Sequence, residues 1–159
     1  DVGVPAGLIT AARAVNRSMP SHVAGVVTDL LWSAGVPAGE AKVLLLGWSY
    51  KAEVGDPRET PAEPLAATLM GKNIEVGAWD PHIESALYPE GVVRVEDISD
   101  AEGYDLVILV TAHKACMEID WCALLNKMRT PILYDGRRVL DLDELKSIGW
   151  TTHAIGKPI

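Results

Sequence analysis

Three positively charged side chains of this sequence stand where they could bind a phosphate group. Lys51 and Arg58 belong to the loop after the first buried apolar run, and Arg137 comes directly after the fourth. Arginine can hold phosphate oxygens through two parallel N–H bonds, and lysine supplies a compact charge. If these runs form a parallel sheet, all three cations lie at its carboxyl edge, where open α/β sheets bind their ligands. The residues therefore predict a phosphate site.

The same cations also fit a simpler interpretation, as surface charges that pair with carboxylates. The carboxylates concerned are Asp56, Glu59 and Asp135. Spacing alone leaves both interpretations open. Tyr50 also has two interpretations, because it could contact a ligand or belong to the core with its hydroxyl at the surface.

Other residues that follow predicted strands give no clear ligand signal. Asp80 occupies the place where a nucleotide-binding fold keeps an acid for ribose hydroxyls, but no glycine fingerprint precedes it, which favours an Asp-Pro turn. His113 is a lone histidine and is not assigned to the site. Gly47 is the single glycine of segment 47–51, whereas a dinucleotide-binding turn needs several. A standard NAD-binding turn is therefore not expected in this domain.

Neither the cysteines nor the histidines form a motif. Cys116 and Cys122 make no disulfide framework and no CxxC pair. We expect free thiols in a reducing compartment, the cytoplasm, with a catalytic nucleophile as the alternative. The four histidines lack metal-ligand spacing, so no metal site is predicted.

The elements that must position these residues alternate along the chain. Continuous apolar runs suit strands buried on both faces, and apolar residues at helical spacing separate them. The predicted strands are 42–47, 74–79, 105–111, 131–134 and 151–155. The predicted helices are 7–15, 23–34, 60–71, 120–128 and 142–148, and we expect Pro20 to start a new helix rather than continue an old one.

This alternation predicts an α/β domain: a parallel sheet of about five strands with helices on both faces, preceded by N-terminal helices. The chain has 159 residues and is 48% apolar, which is one domain's worth with a sizeable core. Its net charge of −8 argues against a nucleic-acid partner. No run approaches the ~20 apolar residues that cross a bilayer, so no membrane partner is expected. Residues 1–5 are typical of a fragment boundary rather than a signal peptide.

Several segments resemble the C-terminal domain of the UDP-glucose/GDP-mannose dehydrogenase family. Residues 46–61 resemble its opening loop, where the pattern is roughly Gly-x-x-aromatic-Lys followed by Asp-x-Arg-Glu-Ser/Thr. Residues 134–141 are similar to its Asp-Gly-Arg segment, and residues 148–156 to its closing strand. Residues 11–16 resemble the end of the helix that joins the family's two halves.

The resemblance covers nearly the whole chain and implies a Rossmann-like three-layer domain. It implies that residues 1–35 are the end of the central helix and a linker helix, and that residues 36–159 form a UDP-sugar-binding domain. On the same basis, the residues matching Tyr50 and Lys51 contact a UDP-sugar substrate, and the one matching Arg137 contacts its diphosphate. The position of Arg58 reaches toward NAD, which the family binds mainly through its other domain.

Family members oxidise the primary alcohol of a nucleotide sugar to a carboxylate, using two NAD in succession. The family's NAD-binding domain and its catalytic cysteine, lysine and acid are not in this sequence. No catalytic residue is therefore assigned, and the chain alone is expected to be inactive. The family dimerises through its central helix, so the resemblance implies a homodimer for the full-length enzyme.

Residues 16–23 resemble the Asn-x-x-Met-Pro stretch common in UDP-N-acetylmannosamine dehydrogenases, although Arg17 stands where an acid is usual. UDP-glucose 6-dehydrogenase is the alternative within the family. A non-catalytic assembly module that docks through helix 23–34 is an alternative of another class. An NAD-binding domain in its own right is a third, and the single glycine of the first loop argues against it.

Overall fold

The computed structural model describes residues 6–157, so the interpretation of residues 1–5 as a fragment boundary lies outside the described residues. The helices are α1 (Ala6–Ser33), α2 (Ala62–Met70), α3 (Lys114–Met117), α4 (Trp121–Leu125) and α5 (Leu142–Ser147). The strands are β1 (Lys42–Leu46), β2 (Glu75–Trp79), β3 (Val92–Arg94), β4 (Leu106–Leu109), β5 (Ile132–Asp135) and β6 (Thr151–Ala154). Among residues 6–157, no helix has the length and apolar character needed to cross a membrane.

All six strands form one parallel sheet in the order β3-β2-β1-β4-β5-β6. The order runs outward in both directions from β1 and β4, so these two neighbours mark the point where the strand order reverses. Loops that leave the carboxyl ends of the strands on either side of such a point enclose a crevice, and this crevice is where α/β sheets bind ligands. A ligand site is therefore expected at the loops after β1 and β4.

Helices cover both faces of the sheet, as predicted. Alternate residues of the central strands contribute to two cores, because successive side chains of a strand point to opposite faces. Val43 and Leu45 share a core with α1 and α2, whereas Leu44 and Leu46 share one with α3, α4 and α5. The prediction of a three-layer α/β domain is confirmed.

The N-terminal region differs from the prediction in one respect, because α1 continues through Pro20 as a single helix. An internal proline lacks an N–H donor and its ring clashes with the carbonyl four residues earlier, at a cost of ~3 kcal/mol. Burial of the following apolar stripe outweighs that cost, since each fully buried Val or Leu side chain contributes ~1.5–3 kcal/mol. Buried members of this stripe include Val23, Val27 and Leu31.

The same burial argues against the hypothesis that helix 23–34 is a docking face for a partner. Its apolar stripe packs against α2 and the sheet of its own chain. The stripe is therefore part of the core and not a free surface.

The sheet has one strand more than the sequence indicated. β3 is a three-residue edge strand that pairs with β2 through Val76 and Val92. Its middle residue, Val93, is 49% exposed, so the segment carries no buried apolar run. Pairing with a neighbouring strand, rather than local hydrophobicity, defines it.

Candidate functional site at the carboxyl edge of the sheet

Asp80, directly after β2, anchors the loop that follows β1. Its side chain is completely buried. Oδ2 accepts hydrogen bonds from the backbone N–H groups of Trp48 (2.6 Å) and Ser49 (2.7 Å) and from the Ser49 hydroxyl (2.9 Å). Oδ1 accepts from the N–H of His82 at 2.8 Å, as in the expected Asp-Pro turn. These bonds fix the start of the loop that carries Lys51.

The donors around Asp80 also stabilise its negative charge. Burial by itself would raise the pKa of this carboxyl group, but hydrogen bonds from His113 and from three backbone N–H groups outweigh it. The pKa of Asp80 is therefore held well below its ordinary value. Its oxygens already serve groups of this chain, which supports a turn and anchoring role rather than a ribose-binding one.

His113, in the loop after β4, belongs to the same network. Its ring is completely buried, with Nε2 3.0 Å from Oδ2 of Asp80. Nδ1 accepts a hydrogen bond from the backbone N–H of Glu53 at 3.0 Å. A backbone N–H can only donate, so Nδ1 carries no proton and the ring proton is on Nε2, where it is donated to Asp80. His113 thus positions the middle of the loop after β1.

The side chain of Glu53 forms a second contact that holds the loop after β1. Its Oε1 accepts a hydrogen bond of 2.8 Å from the backbone N–H of Lys114, the first residue of α3. The pKa of the Glu53 carboxyl group is lowered, chiefly by that bond. The loop also closes on itself, because the N–H of Tyr50 donates to the carbonyl of Asp56 at 2.9 Å. Tyr50 and Lys51 therefore stand in a loop that is held at several points.

Thr111 joins the ends of β1 and β4. Its hydroxyl donates to the carbonyl of Ser49 at 2.6 Å, and its N–H donates to the carbonyl of Leu46 at 3.1 Å. Gly47 lies at a φ of 88°, and a Cβ there would be 2.4 Å from the carbonyl oxygen of Thr111. The glycine is required because two loops approach each other closely.

Asp135, at the end of β5, builds the loop that carries Arg137. Its buried carboxylate accepts four backbone hydrogen bonds of 2.7 to 2.9 Å, from residues 137–140. The Arg137 side chain then crosses to the neighbouring strand, where Nε donates to the carbonyl of Val110 at 2.5 Å. Within residues 6–157, neither of its two terminal nitrogens donates a hydrogen bond. The guanidinium group is thus held against Val110, the residue that follows β4, and its terminal fork has no partner among the described residues.

Lys51 and Tyr50 are both accessible to a ligand. The Tyr50 side chain is 48% exposed, and Nζ of Lys51 lies 5.7 Å from the centroid of its ring, within cation–π range. No carboxylate lies within 4 Å of Nζ in the part of the chain that the structure describes. The surface-pair interpretation therefore does not apply to Lys51.

Arg58 behaves differently from the other two cations. It forms an ion pair of 2.6 Å with Asp56 and is 86% exposed. The hydrogen bonds from Arg58 hold the pKa of the Asp56 carboxyl group at about 2. For Arg58 the surface-pair interpretation of the cations therefore applies. Arg58 also borders a shallow cavity of about 330 Å³. The other lining residues are Trp48, Pro57, Glu63, Leu87, Tyr88 and Pro89.

The predicted site residues thus fall into two groups. Tyr50 and Lys51 follow β1, and Arg137 reaches the end of the adjacent β4. Thr111 connects the two places through its bond to Ser49, the residue before Tyr50. Arg58 lies farther along the loop, at the cavity. The fold therefore brings Lys51 and Arg137 to neighbouring loops at the point of strand-order reversal, as a phosphate site would require.

The two cysteines differ in their environment. Cys116 is buried and Cys122 is exposed, and neither forms a disulfide. Burial raises the pKa of the Cys116 thiol to about 11, which leaves it protonated and unreactive at neutral pH. Cys116 therefore has the inert, buried environment that the free-thiol interpretation predicts.

Sequence reasoning missed the residues that position the site. The sequence predicts the turn at Asp80 but not its bonds to the loop after β1, assigns no role to His113, and indicates Asp135 only as a possible ion-pair partner. Each is a buried polar residue that directly follows a strand or lies within a few residues of one. A polar residue directly after an apolar run could have indicated these positions. Backbone N–H and C=O groups beyond the end of a strand have no partner in the sheet, so side chains at that edge must bond them.

A parallel sheet whose strand order reverses between β1 and β4, with helices on both faces, is a doubly wound α/β domain. Residues 44–142 match the family model described as "UDP-glucose/GDP-mannose dehydrogenase family, UDP binding domain". The chain belongs to this family and corresponds to its UDP binding domain.

Individual relatives agree with this assignment. The chain is 28% identical over 151 residues to the UDP-N-acetyl-D-mannosamine dehydrogenase of Pyrococcus horikoshii, covering 95% of this chain and 34% of the relative. It is 28% identical over 152 residues to the UDP-glucose 6-dehydrogenase of Rickettsia conorii, covering 91% and 34%. The crystal structure of an NDP-N-acetyl-D-galactosaminuronic acid dehydrogenase from Methanosarcina mazei Go1 superimposes with a TM-score of 0.84 and 25% identity, covering 99% of this chain and 34% of that one. The chain thus spans about a third of the length of its relatives.

Proposed function

We propose that the carboxyl edge of this domain binds the UDP part of a UDP-sugar through Tyr50, Lys51 and Arg137. The observation that carries the proposal is the placement of Arg137. Its Nε donates to the carbonyl of Val110, which orients the guanidinium toward the end of β4, and its terminal fork has no partner among residues 6–157. A fork of this geometry suits two oxygens of a diphosphate.

Lys51 supplies the second charge from the loop across the crevice. Its ammonium group has no carboxylate partner among the described residues, and the loop beneath it is held by Asp80, His113 and Glu53. A preorganised loop binds more tightly because less conformational entropy is lost on binding. Tyr50, half exposed beside Lys51, would offer its ring or hydroxyl to the nucleoside.

Arg58 is proposed to reach toward NAD in the full-length enzyme. Its high exposure and its place at the rim of the 330 Å³ cavity support a role toward a group outside this domain. Its ion pair with Asp56 would then be exchanged for a pair with an anionic cofactor. Most of the NAD contacts would come from the rest of the enzyme, as would the catalytic groups.

The whole enzyme is proposed to be a cytoplasmic, homodimeric NAD-dependent nucleotide-sugar 6-dehydrogenase. The favoured reaction converts UDP-N-acetylmannosamine to UDP-N-acetylmannosaminuronate in two successive oxidations. The relatives include UDP-N-acetyl-D-mannosamine dehydrogenases and UDP-glucose 6-dehydrogenases at similar identity, so UDP-glucose is the second candidate substrate. The division at residue 35 between helical linker and UDP-sugar-binding domain belongs to the same proposal.

Calorimetric titration of the 159-residue chain with UDP and with NAD tests the proposal. We expect UDP to bind with the higher affinity. Lys51→Ala and Arg137→Ala should each weaken UDP binding roughly 10-fold or more, because a hydrogen bond to a charged group is worth about 1.5–3 kcal/mol.

Lys72→Ala is the matched control, since Lys72 is an exposed lysine before β2, at the opposite edge of the sheet. It removes the same charge and should leave the affinity for UDP unchanged. Tighter binding of NAD than of UDP would contradict the proposal. An equal loss of affinity in all three variants would show a diffuse charge effect instead of a site.

A further inference from the structure

We propose that Glu53, His82 and His113 form a zinc site that ties together the loops after β1, β2 and β4. Three potential ligand atoms, one from each residue, lie within 4.8 Å of one another. Oε1 of Glu53 is 3.7 Å from Nδ1 of His113 and 3.9 Å from Nε2 of His82. This inference does not depend on the proposed UDP function.

The distances are close to those of a coordination shell. Ligand atoms of a tetrahedral zinc site with bonds of about 2.0–2.1 Å lie roughly 3.4 Å apart. The two separations from Oε1 of Glu53 would have to contract by a few tenths of an ångström. The separation between the two imidazole nitrogens, which is at most 4.8 Å, would have to contract by up to about 1.4 Å. Glu53 and His82 can supply that movement because their side chains are 42% and 38% exposed, whereas His113 is fixed in the interior.

His113 is already in the tautomer that a metal requires. Its Nε2–H donates to the buried Asp80, so the lone pair of Nδ1 points toward Glu53. A histidine that ligates a metal commonly donates its other N–H to a carboxylate, which orients the ring and raises its basicity. Metal binding would replace the hydrogen bond that Nδ1 accepts from the Glu53 N–H. Oε1 of Glu53 would then bind the ion with one electron pair and keep the Lys114 N–H on the other.

Charge also favours a cation at this place. The carboxylate of Asp80 is buried, and the only ion-pair partner it has in residues 6–157 is His113, which is neutral in this tautomer. Glu53 adds a second negative charge within 4 Å of both imidazoles. Two imidazole nitrogens and one carboxylate oxygen, with an open side toward solvent, are a ligand set that zinc binds well.

The site would have a structural consequence. Each ligand comes from a different loop at the carboxyl edge, and Glu53 belongs to the same loop as Tyr50 and Lys51. A bound ion would therefore hold that loop in place. The cluster is not visible in the sequence, because its members are separated by 29 and 31 positions.

Titration of the metal-free 159-residue chain with Zn²⁺, in competition with a chromophoric chelator, tests the proposal. We expect one ion per chain. His82→Ala and Glu53→Gln should each weaken binding at least tenfold, since the first removes a ligand atom and the second replaces a carboxylate ligand by a neutral amide oxygen that binds zinc poorly. His22→Ala, which removes an exposed histidine of α1, is the matched control and should bind Zn²⁺ like the wild type.

Long-range ¹H–¹⁵N spectra of the histidine rings give an independent readout. Zn²⁺ should shift Nδ1 of His113 and Nε2 of His82 to metal-bound values and leave His153 unchanged. The proposal is overturned if no stoichiometric binding is seen, if His82→Ala and Glu53→Gln bind like the wild type, or if the His113 resonances do not move. Thermal unfolding of each variant without metal verifies that it is folded.

Discussion

The imidazole of His113 donates to the carboxylate of Asp80 across 3.0 Å, and both side chains are completely inaccessible to solvent. The two residues follow different strands, β4 and β2, with β1 between them in the sheet. Their contact therefore spans the crevice at the point of strand-order reversal and fixes the loop after β1 beneath it. The shape of the candidate UDP site depends on this buried pair.

Two substitutions of His113 should distinguish the contribution of its bond to Asp80 from that of its bond to the Glu53 N–H. His113→Ala leaves the buried Asp80 short of a donor and should lower the free energy of unfolding by about 2–3 kcal/mol. His113→Gln can keep an amide N–H near the position of Nε2 and should lose less stability. Neither variant can accept from the Glu53 N–H in the wild-type manner, so both should loosen the loop that carries Lys51.

Urea unfolding and hydrogen exchange of the amides of residues 50–56 provide the measurements. We expect faster exchange in both variants and a clear stability difference between them. Equal stabilities for the alanine and glutamine variants would show that the bond to Asp80 contributes little.

Acid should destabilise the domain through Asp80. The pKa of this carboxyl group is lower in the folded chain than in the unfolded chain, where it is ~3.9. Its contribution is therefore complete above the unfolded pKa and is lost as the pH falls below about 5 toward the folded pKa. Urea unfolding of wild type and Asp80→Asn from pH 7 to pH 3 should show a smaller fall for the variant.

Asp143→Asn is the comparison for this experiment, because the side chain of Asp143 is 97% exposed. It should follow the wild-type profile. If Asp80→Asn also follows that profile, the buried carboxylate is not the group that senses acid.

Gly47 should be intolerant of a side chain. At a φ of 88°, a Cβ would meet the Thr111 carbonyl oxygen at 2.4 Å, so the chain ends of β1 and β4 would have to separate. Gly47→Ala should lower the free energy of unfolding by about 2 kcal/mol or more, which combines left-handed strain with overpacking.

Gly25→Ala provides the contrast. Gly25 lies inside α1 and has no other atom within 4 Å of the added Cβ. Alanine there should be neutral or stabilising by up to ~1 kcal/mol, because glycine is a poor helix former. Thermal unfolding of the two variants checks the pair, and a Gly47→Ala protein as stable as wild type would contradict the close approach.

The two thiols should differ in reactivity. Cys122 is exposed, whereas Cys116 is buried with its thiol pKa raised to about 11. A chromogenic disulfide reagent at pH 8 should modify one thiol per native chain quickly and the second only after unfolding. Cys122→Ser should abolish the fast phase. Rapid modification of both thiols in the native chain would contradict the burial of Cys116.

Much of the domain could be predicted from local pattern. The buried strands are visible as apolar runs, because burial on both faces of a sheet requires apolar residues at every position. Helix α2 is visible from its apolar residues at helical spacing. β3 could not be found this way, because an edge strand with Val93 exposed is defined by its pairing with β2. The continuity of α1 through Pro20 could not be predicted from local sequence either, because the helix is stabilised there by packing against the sheet.

The residues of the candidate site also fall into those that local sequence indicates and those that only the tertiary structure shows. The sequence by itself determined the α/β class, the family, and the cations Lys51, Arg58 and Arg137 as residues that follow strands. Only the tertiary structure decided that Arg137 crosses to β4 while Arg58 pairs with Asp56, and that Asp80, His113, Glu53 and His82 meet. The reason is that strand order is set by long-range packing, so residues tens of positions apart become neighbours without any trace in their spacing.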